Sequence, residues 1–378
     1  MKIAVVGAGP GGSLAAWRFA SDGASVTVFD PSHPREKPCG GGLPPRALDL
    51  LPSAPATDPL PARFVDHAVL ESGRGSTVRV ALSRPVAVAS RLELDAWLLR
   101  RAVEAGARHV ALRVTGVEAD GTVRTAGRAE TFDLVVGADG AGSVVRRSLL
   151  SPTPRERIAM AVGWFVAGQS DFTVRFTPGL AGYLWLFPRR DHVAVGIAAP
   201  LGARPTREIA ERLEAEVARS WPALARTDEP RYAHVIPSPS EDPACILEIA
   251  GPRFALVGDA AALVDPLTGE GIHSALRSAL ILAETVRETG TTAAYPGRVL
   301  EDFGRELLTA ARYRTWFFDE TFTDRMVRMS ARSGAIRLVL RDLVEGAQAY
   351  TTLKSRLVRA APRLLLDGAL SKLGLARG

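Results

Sequence analysis

Ile3-Ala4-Val5-Val6-Gly7-Ala8-Gly9-Pro10-Gly11-Gly12 decides the fold of this 378-residue chain. Four apolar residues read as a short buried strand. A glycine turn follows, and a helical pattern continues through Leu14, Ala15, Phe19 and Ala20. Glycines at 7, 9 and 12 have the spacing of a dinucleotide-binding turn. Gly7 permits the tight turn, Gly9 lets a pyrophosphate approach the backbone, and Gly12 lets helix and strand pack closely. The helix start then offers free N–H groups and the positive end of its dipole to the phosphates. Ser25 to Phe29 reads as a second strand ended by Asp30. That acid lies about 20 residues beyond the turn, where ribose hydroxyls are bound. It would also repel a 2′-phosphate.

The chain is long enough for two intertwined domains. Its first 20 residues do not read as a signal peptide, because a glycine turn interrupts the apolar run. No uncharged run reaches the ~18 residues a membrane span needs. The two cysteines, Cys39 and Cys245, form no CxxC pair. They suggest neither a disulfide framework nor a zinc site, and fit a reducing cytoplasm. Net charge is +6, and nearly all cations are arginine. Residues 305–378 hold 14 Arg or Lys against 7 Asp or Glu. Such a region could meet an anionic membrane surface, nucleic acid or an acidic partner protein, although a solvated arginine-coated helix face has the same composition. No nucleic-acid motif is present.

Pro31 to Pro45 must be a loop, centred on Pro38-Cys39-Gly40-Gly41-Gly42. Strand patterns at Ala68–Glu71 and Thr77–Leu82 belong to a second layer. Ser90 is a plausible N-cap for a helix with the apolar stripe Leu94, Trp97, Leu98, Ala102. Arg91 at its start gains nothing from the dipole, which favours a specific partner such as a phosphate. Strands are expected at Val110–Arg113 and Val117–Ala119. Phe132 to Gly137 then looks like a buried parallel strand leading to Ala138-Asp139-Gly140. Between Ile158 and Ala199 four strand patterns follow one another without helices, which suggests an inserted antiparallel sheet. Tyr183, Trp185 and Phe187 alternate along one of them and face one side. The chain returns with strand Phe254–Val257, then Gly258-Asp259 and Pro266-Leu267-Thr268-Gly269-Glu270-Gly271-Ile272, which opens another helix.

Four motifs thus stand in order: Gly7-x-Gly9-x-x-Gly12, Arg91 on its helix, Gly137-Ala138-Asp139-Gly140, and Gly258-Asp259 with Pro266-x-x-Gly269-x-Gly271. Over residues 1–290 they resemble the p-hydroxybenzoate hydroxylase-like flavoprotein monooxygenase superfamily. Pro38-Cys39-Gly40-Gly41-Gly42 and Tyr183-x-Trp185-x-Phe187-Pro188 resemble its geranylgeranyl reductase branch. The resemblance implies an α/β FAD-binding domain, Rossmann-like and of glutathione reductase type. It carries an inserted antiparallel-sheet α+β substrate domain and is followed by a C-terminal helical region. The expected boundaries are 1–62 with 89–157 and 246–298 for FAD, 63–88 with 158–245 for substrate, and 299–378 for the helical region.

By position, the resemblance puts Gly7, Gly9 and Gly12 on the FAD pyrophosphate, Asp30 on its ribose and Arg91 on its phosphates. Asp139 would lie near the pyrophosphate or a pyridine-nucleotide path, and Asp259 on the ribityl chain or pyrophosphate. Gly269, Gly271 and Ile272 would set a helix start at the flavin N1–C2=O edge, where N–H groups stabilise negative charge. Cys39, Gly40 and Gly41 would lie beside the ring, with Tyr183, Trp185 and Phe187 as the opposite wall, the substrate side. The catalytic candidates are Cys39, as a reactive thiol, His273, as a proton donor, and Tyr183. With one dinucleotide fingerprint, NAD(P)H would visit the flavin transiently.

The function expected is C=C reduction in a bulky hydrophobic substrate, a prenyl or polyketide chain. The alternative is an FAD monooxygenase that hydroxylates or epoxidises an aromatic or polyene with NAD(P)H and O2. A third possibility is a flavoprotein with no turnover of its own. A halogenase would need a lysine between flavin and substrate, and none occurs from Pro38 to Leu353. The expected location is cytoplasmic, with peripheral membrane contact through the arginine-rich region as an option.

Overall fold

The computed structural model describes residues 1–360. The last part of the expected C-terminal helical region, 361–378, lies outside the described residues.

The opening strand, Lys2–Val6, sits inside a six-stranded sheet. The order is Ala250–Gly251, Phe254–Leu256, Leu134–Gly137, Lys2–Val6, Ser25–Phe29, Arg108–Val110. All pairs are parallel except that made by the edge strand Ala250–Gly251. Ile3, Ala4 and Val5 are fully buried, as a strand covered on both faces requires. Helix Pro10–Ser21 packs between helices Arg91–Glu104 and Ile272–Thr289. A three-stranded sheet (Val114–Val117, Thr122–Thr125, Arg128–Thr131) joins the same core through Val114, Val117 and Val123. This small sheet differs from the strands expected at 110–113 and 117–119. Its outer strand Arg128–Thr131 is exposed throughout, so it carries no apolar alternation to betray it.

The second sheet has eight strands. The order is Tyr232–Pro237, Ile158–Ala167, His192–Pro200, Tyr183–Pro188, Thr173–Phe176, Arg63–Glu71, Thr77–Val88, Gly42–Leu43. Its pairs are antiparallel except Thr173–Phe176 with Arg63–Glu71, which run parallel. Period two sorts its side chains. Leu184 and Leu186 pack with Leu213 and Val217 of helix Thr206–Ser220. Tyr183, Trp185 and Phe187 turn to the other face, with Ala161 and Ala198. That face looks toward the first sheet.

Helices Glu320–Arg332 and Gly334–Val344 lie over strand Thr77–Val88, and residues 350–360 are helical. Acidic side chains pin them. Asp324, almost fully buried, accepts from the Ser72 and Ser76 hydroxyls, each at 2.8 Å. Glu345 accepts from the Ser83 N–H at 2.5 Å and from its hydroxyl at 2.6 Å. Tyr350 donates its hydroxyl to Asp265 at 2.8 Å.

Candidate functional site

A cavity of about 700 Å³ runs between the two sheets, from the first glycine turn to the C-terminal helices. Cavities of this size hold cofactors and drug-sized ligands.

Its polar end is built on glycine. Gly7 has φ +99°, a left-handed value that L side chains rarely adopt. A Cβ there would also collide with the backbone of Ala138 and Asp139 on the neighbouring strand turn. A Cβ on Gly12 would strike the Gly7 carbonyl, so this residue packs helix on strand as its spacing predicts, and it does not line the cavity. Gly9 is different. A Cβ there would have only the Arg91 Nη2 nearby, at 3.6 Å. It therefore faces the cavity rather than protein. Helix Pro10–Ser21 starts with no side-chain cap and no acid in its first turn, so its N–H groups are left for a ligand. Helix Ile272–Thr289, whose start at Gly271 and Ile272 also lines the cavity, has the same open N-terminus.

Charged groups ring this end. Asp30 accepts from the Ala8 N–H and from the Ser32 N–H and hydroxyl, each at 2.9 Å. Burial raises its pKa, but these bonds outweigh burial and hold the carboxyl below its ordinary range. Arg91 is almost fully buried and pairs with Asp95 through two bonds of 2.7 and 2.8 Å. That partner stands four residues on, where helix geometry places neighbours. Asp259 also lines the cavity and takes a 3.0 Å bond from Lys37. Burial opposes its charge, and Lys37 overcomes this to keep it below the usual carboxylate range. Asp139 uses Oδ2 to cap helix Val144–Leu149, accepting from Val144 N–H at 2.6 Å. Its Oδ1 is buried without a partner among the described residues, and burial raises its pKa.

The middle of the cavity is set by the Pro38–Gly42 segment. Gly40 touches the Phe187 ring, with the Trp185 Nε1 close by, so a Cβ would not fit. The glycine segment and the aromatic row therefore form one continuous wall, not the two facing walls expected. Phe187 stacks on Phe172 with centroids 4.0 Å apart. Tyr183 donates its hydroxyl to the Thr268 carbonyl, and burial pushes its pKa well up. The Cys39 Sγ accepts from the Gly41 N–H at 3.3 Å, and its carbonyl accepts from Arg189 at 2.7 Å. Arg189 is 1% exposed and pairs with Glu36 at 3.1 Å. Glu36 in turn accepts from the Ser90 hydroxyl at 2.6 Å. The loop is thereby clamped between the second sheet and the Arg91 helix.

His273 is not brought to the site. It does not line the cavity, and its ring packs edge-on against Phe303. Burial drives its pKa down to about 3, so it is neutral. Its place one residue past Ile272 turns it to the outer side of the helix.

Several cavity residues carry no sequence signal. His234 lines it, half-buried, with its pKa pushed down to about 4 by burial and then by Lys37. Glu270 pairs with Arg46, 224 residues away, and burial raises its pKa. Such pairs are invisible locally, since nothing in either segment names the other.

The cradle fits FAD on its own geometry. It has two uncapped helix starts, a glycine facing open space, a partnered acid, Asp30, at the end of the second strand and a buried carboxylate oxygen still lacking a donor among the described residues. Comparison with known proteins agrees. The model of the FAD binding domain matches residues 1–298. A menaquinone reductase of Mycolicibacterium smegmatis is 31% identical over 82% of this chain and 83% of its own length. Digeranylgeranylglycerophospholipid reductase 1 of Methanopyrus kandleri is 30% identical over 80% and 86%. A geranylgeranyl bacteriochlorophyll reductase-like structure from Thermoplasma acidophilum superposes with a TM-score of 0.76, at 22% identity, over 95% of this chain and 98% of its own. The chain belongs to the FAD-binding domain family, in its geranylgeranyl reductase-like branch of flavin-dependent oxidoreductases.

Proposed function

We propose that this enzyme saturates C=C bonds in an isoprenoid chain. The observation that carries this is the group of apolar side chains that line the cavity beyond the aromatic row, among them Leu70, Val86, Val174 and Phe176. A wall of that composition holds hydrocarbon and gives no polar anchor. The relatives named above reduce menaquinone and digeranylgeranylglycerophospholipids, both prenyl-bearing, which supports the same substrate class.

FAD, when bound, supplies the hydride equivalent that C=C reduction requires. Gly7, Gly9, Asp30, Arg91 and Asp259 would hold it, with Gly269, Gly271 and Ile272 at its ring edge. Trp185 and Phe187 orient the alkene and keep water out. Protonation of the second carbon falls to a group at the cavity wall, and Cys39 and Tyr183 are the two proposed. NAD(P)H would serve as a transient reductant.

Anaerobic incubation of the reduced holoprotein with geranylgeranyl diphosphate tests the reading. The expected product gains two hydrogens per bond reduced. A strict need for O2, with labelled oxygen entering the product, would overturn it in favour of monooxygenation.

No helix among the described residues is long and apolar enough to cross a membrane. We assign instead a peripheral contact. Leu338 (45% exposed) and Val358 (72%) stand out from the C-terminal helices beside exposed Arg337 and Arg359. Arginine with apolar neighbours suits an anionic bilayer surface, where prenyl lipids reside. The protein should sediment with vesicles rich in anionic lipid at low salt and be released at high salt. Equal sedimentation with neutral vesicles would refute this.

A further inference from the structure

The cavity's apolar end is closed by a different part of the chain from the one that builds the cradle. Phe317, the last residue of helix Arg305–Phe317, lines it together with Leu340, Leu343 and Val344 of helix Gly334–Val344. Leu340 packs against Leu70 and Val80 of the second sheet. Val344 bridges two apolar clusters, one containing Val86 and Phe172, the other Leu70 and Val327. Phe317 meets Phe176 edge-on, with ring centroids 6.0 Å apart. No charged or polar side chain interrupts this set of four.

This end wall is fixed. Glu345 follows Val344 directly and is held by two bonds to Ser83. Gly346 has φ +71° and lies against the Arg46 side chain, whose guanidinium pairs with Glu270 beside the flavin loop. Tyr350 ties the next helix to Asp265 at the head of that same loop. The distance from the flavin-edge loop to Val344 is thus set by hydrogen bonds and ion pairs, not by loose apolar contact.

We propose that Leu340, Leu343 and Val344 are a length stop. The distal end of a hydrocarbon chain runs against them, and they set how long a chain is accepted with its reacting bond at the aromatic row. The inference deepens the isoprenoid reading but concerns the chamber itself. Each methylene buried in an apolar site tightens binding about fourfold. Affinity should therefore climb with chain length until the chain meets the stop, then level off or fall.

The test uses FAD-loaded protein and a series of linear primary alcohols of increasing length, with dissociation constants read from quenching of flavin fluorescence. The wild-type protein should show a break in the length series. Val344→Phe should move that break to shorter alcohols, with at least a tenfold loss for those beyond it and no change for shorter ones. Leu343→Ala, which cannot overpack the wall, should move it to longer ones. A uniform loss at every length would mark Val344 as merely structural, and an unmoved break in both variants would overturn the proposal. Either failure is separable from failure of the proposed reaction. A wild-type break shifted by both variants, with no reduction of geranylgeranyl diphosphate, would leave the stop standing and remove the isoprenoid reading alone.

Discussion

Gly9→Val is expected to yield a folded, colourless protein. The backbone at Gly9 is extended, φ −70° and ψ −178°, a region that β-branched residues favour. A Cβ there meets no protein atom closer than the Arg91 guanidinium at 3.6 Å. The fold therefore has no reason to resist the substitution, and Tm should move by little. The added side chain instead occupies the approach to the free N–H groups of helix Pro10–Ser21. A charge-assisted hydrogen bond is worth about 1.5–3 kcal/mol, and an anion at a helix N-terminus gains up to ~2 kcal/mol more. Loss of one bond and part of the dipole interaction costs about 3–4 kcal/mol, or a hundredfold or more in FAD affinity. The control is Gly12→Ala, whose Cβ would strike the Gly7 carbonyl. That variant should lose stability before it loses anything specific to flavin. The measurements are flavin absorbance per polypeptide and Tm by calorimetry. Gly9→Val that purifies yellow at wild-type stoichiometry would mean the turn does not touch the pyrophosphate.

The contrast between these two glycines shows what was legible in the chain. Spacing alone distinguishes Gly9 from Gly12, because each glycine of a phosphate turn has a separate steric duty. The aromatic row at 183, 185 and 187 was equally legible, since a strand's period of two puts alternate residues on one face. What period cannot say is what that face meets. Gly40 packs directly on Phe187, and this closes the gap in which a ring was expected between two walls. The same limit hid the end wall of the cavity. Helix Gly334–Val344 has an amphipathic pattern, but a stripe of apolar residues does not name the sheet it will cover. Lys37 with Asp259 and Arg46 with Glu270 are each more than 200 residues apart, and only the fold brings them together. His273 shows the opposite error. Sequence put it next to a flavin-facing helix start, and a helix turns by about 100° per residue, enough to carry it from the cavity to Phe303.

By its sequence position Arg91 is a cation in need of a phosphate, because a helix start gives it nothing. The structure supplies Asp95 as a bidentate partner, with side chains 6% and 0% exposed. These two roles make opposite demands, and a pair of variants separates them. Arg91→Met leaves the Asp95 charge buried without compensation, and breaking such a pair costs about 3–5 kcal/mol. The single variant should be strongly destabilised, and its loss of flavin would prove nothing about contact. Arg91→Met with Asp95→Leu removes both charges and replaces them with apolar groups of similar bulk, a change that is often neutral for stability. Tm should return close to wild type. If Arg91 serves only Asp95, FAD binding returns with it. If it also serves the phosphates, FAD affinity stays down by tenfold or more in a protein that is otherwise intact. The second outcome is expected. Arg91 Nη2 lies beside the Gly9 turn, and the Asp95 carboxylate engages only one nitrogen edge of the guanidinium, Nε and Nη2. An arginine presents five donors in a planar fork, so Nη1 and the second hydrogen of Nη2 remain for an anion. Asp95 in this view aims the fork, and the phosphates of the cofactor complete it.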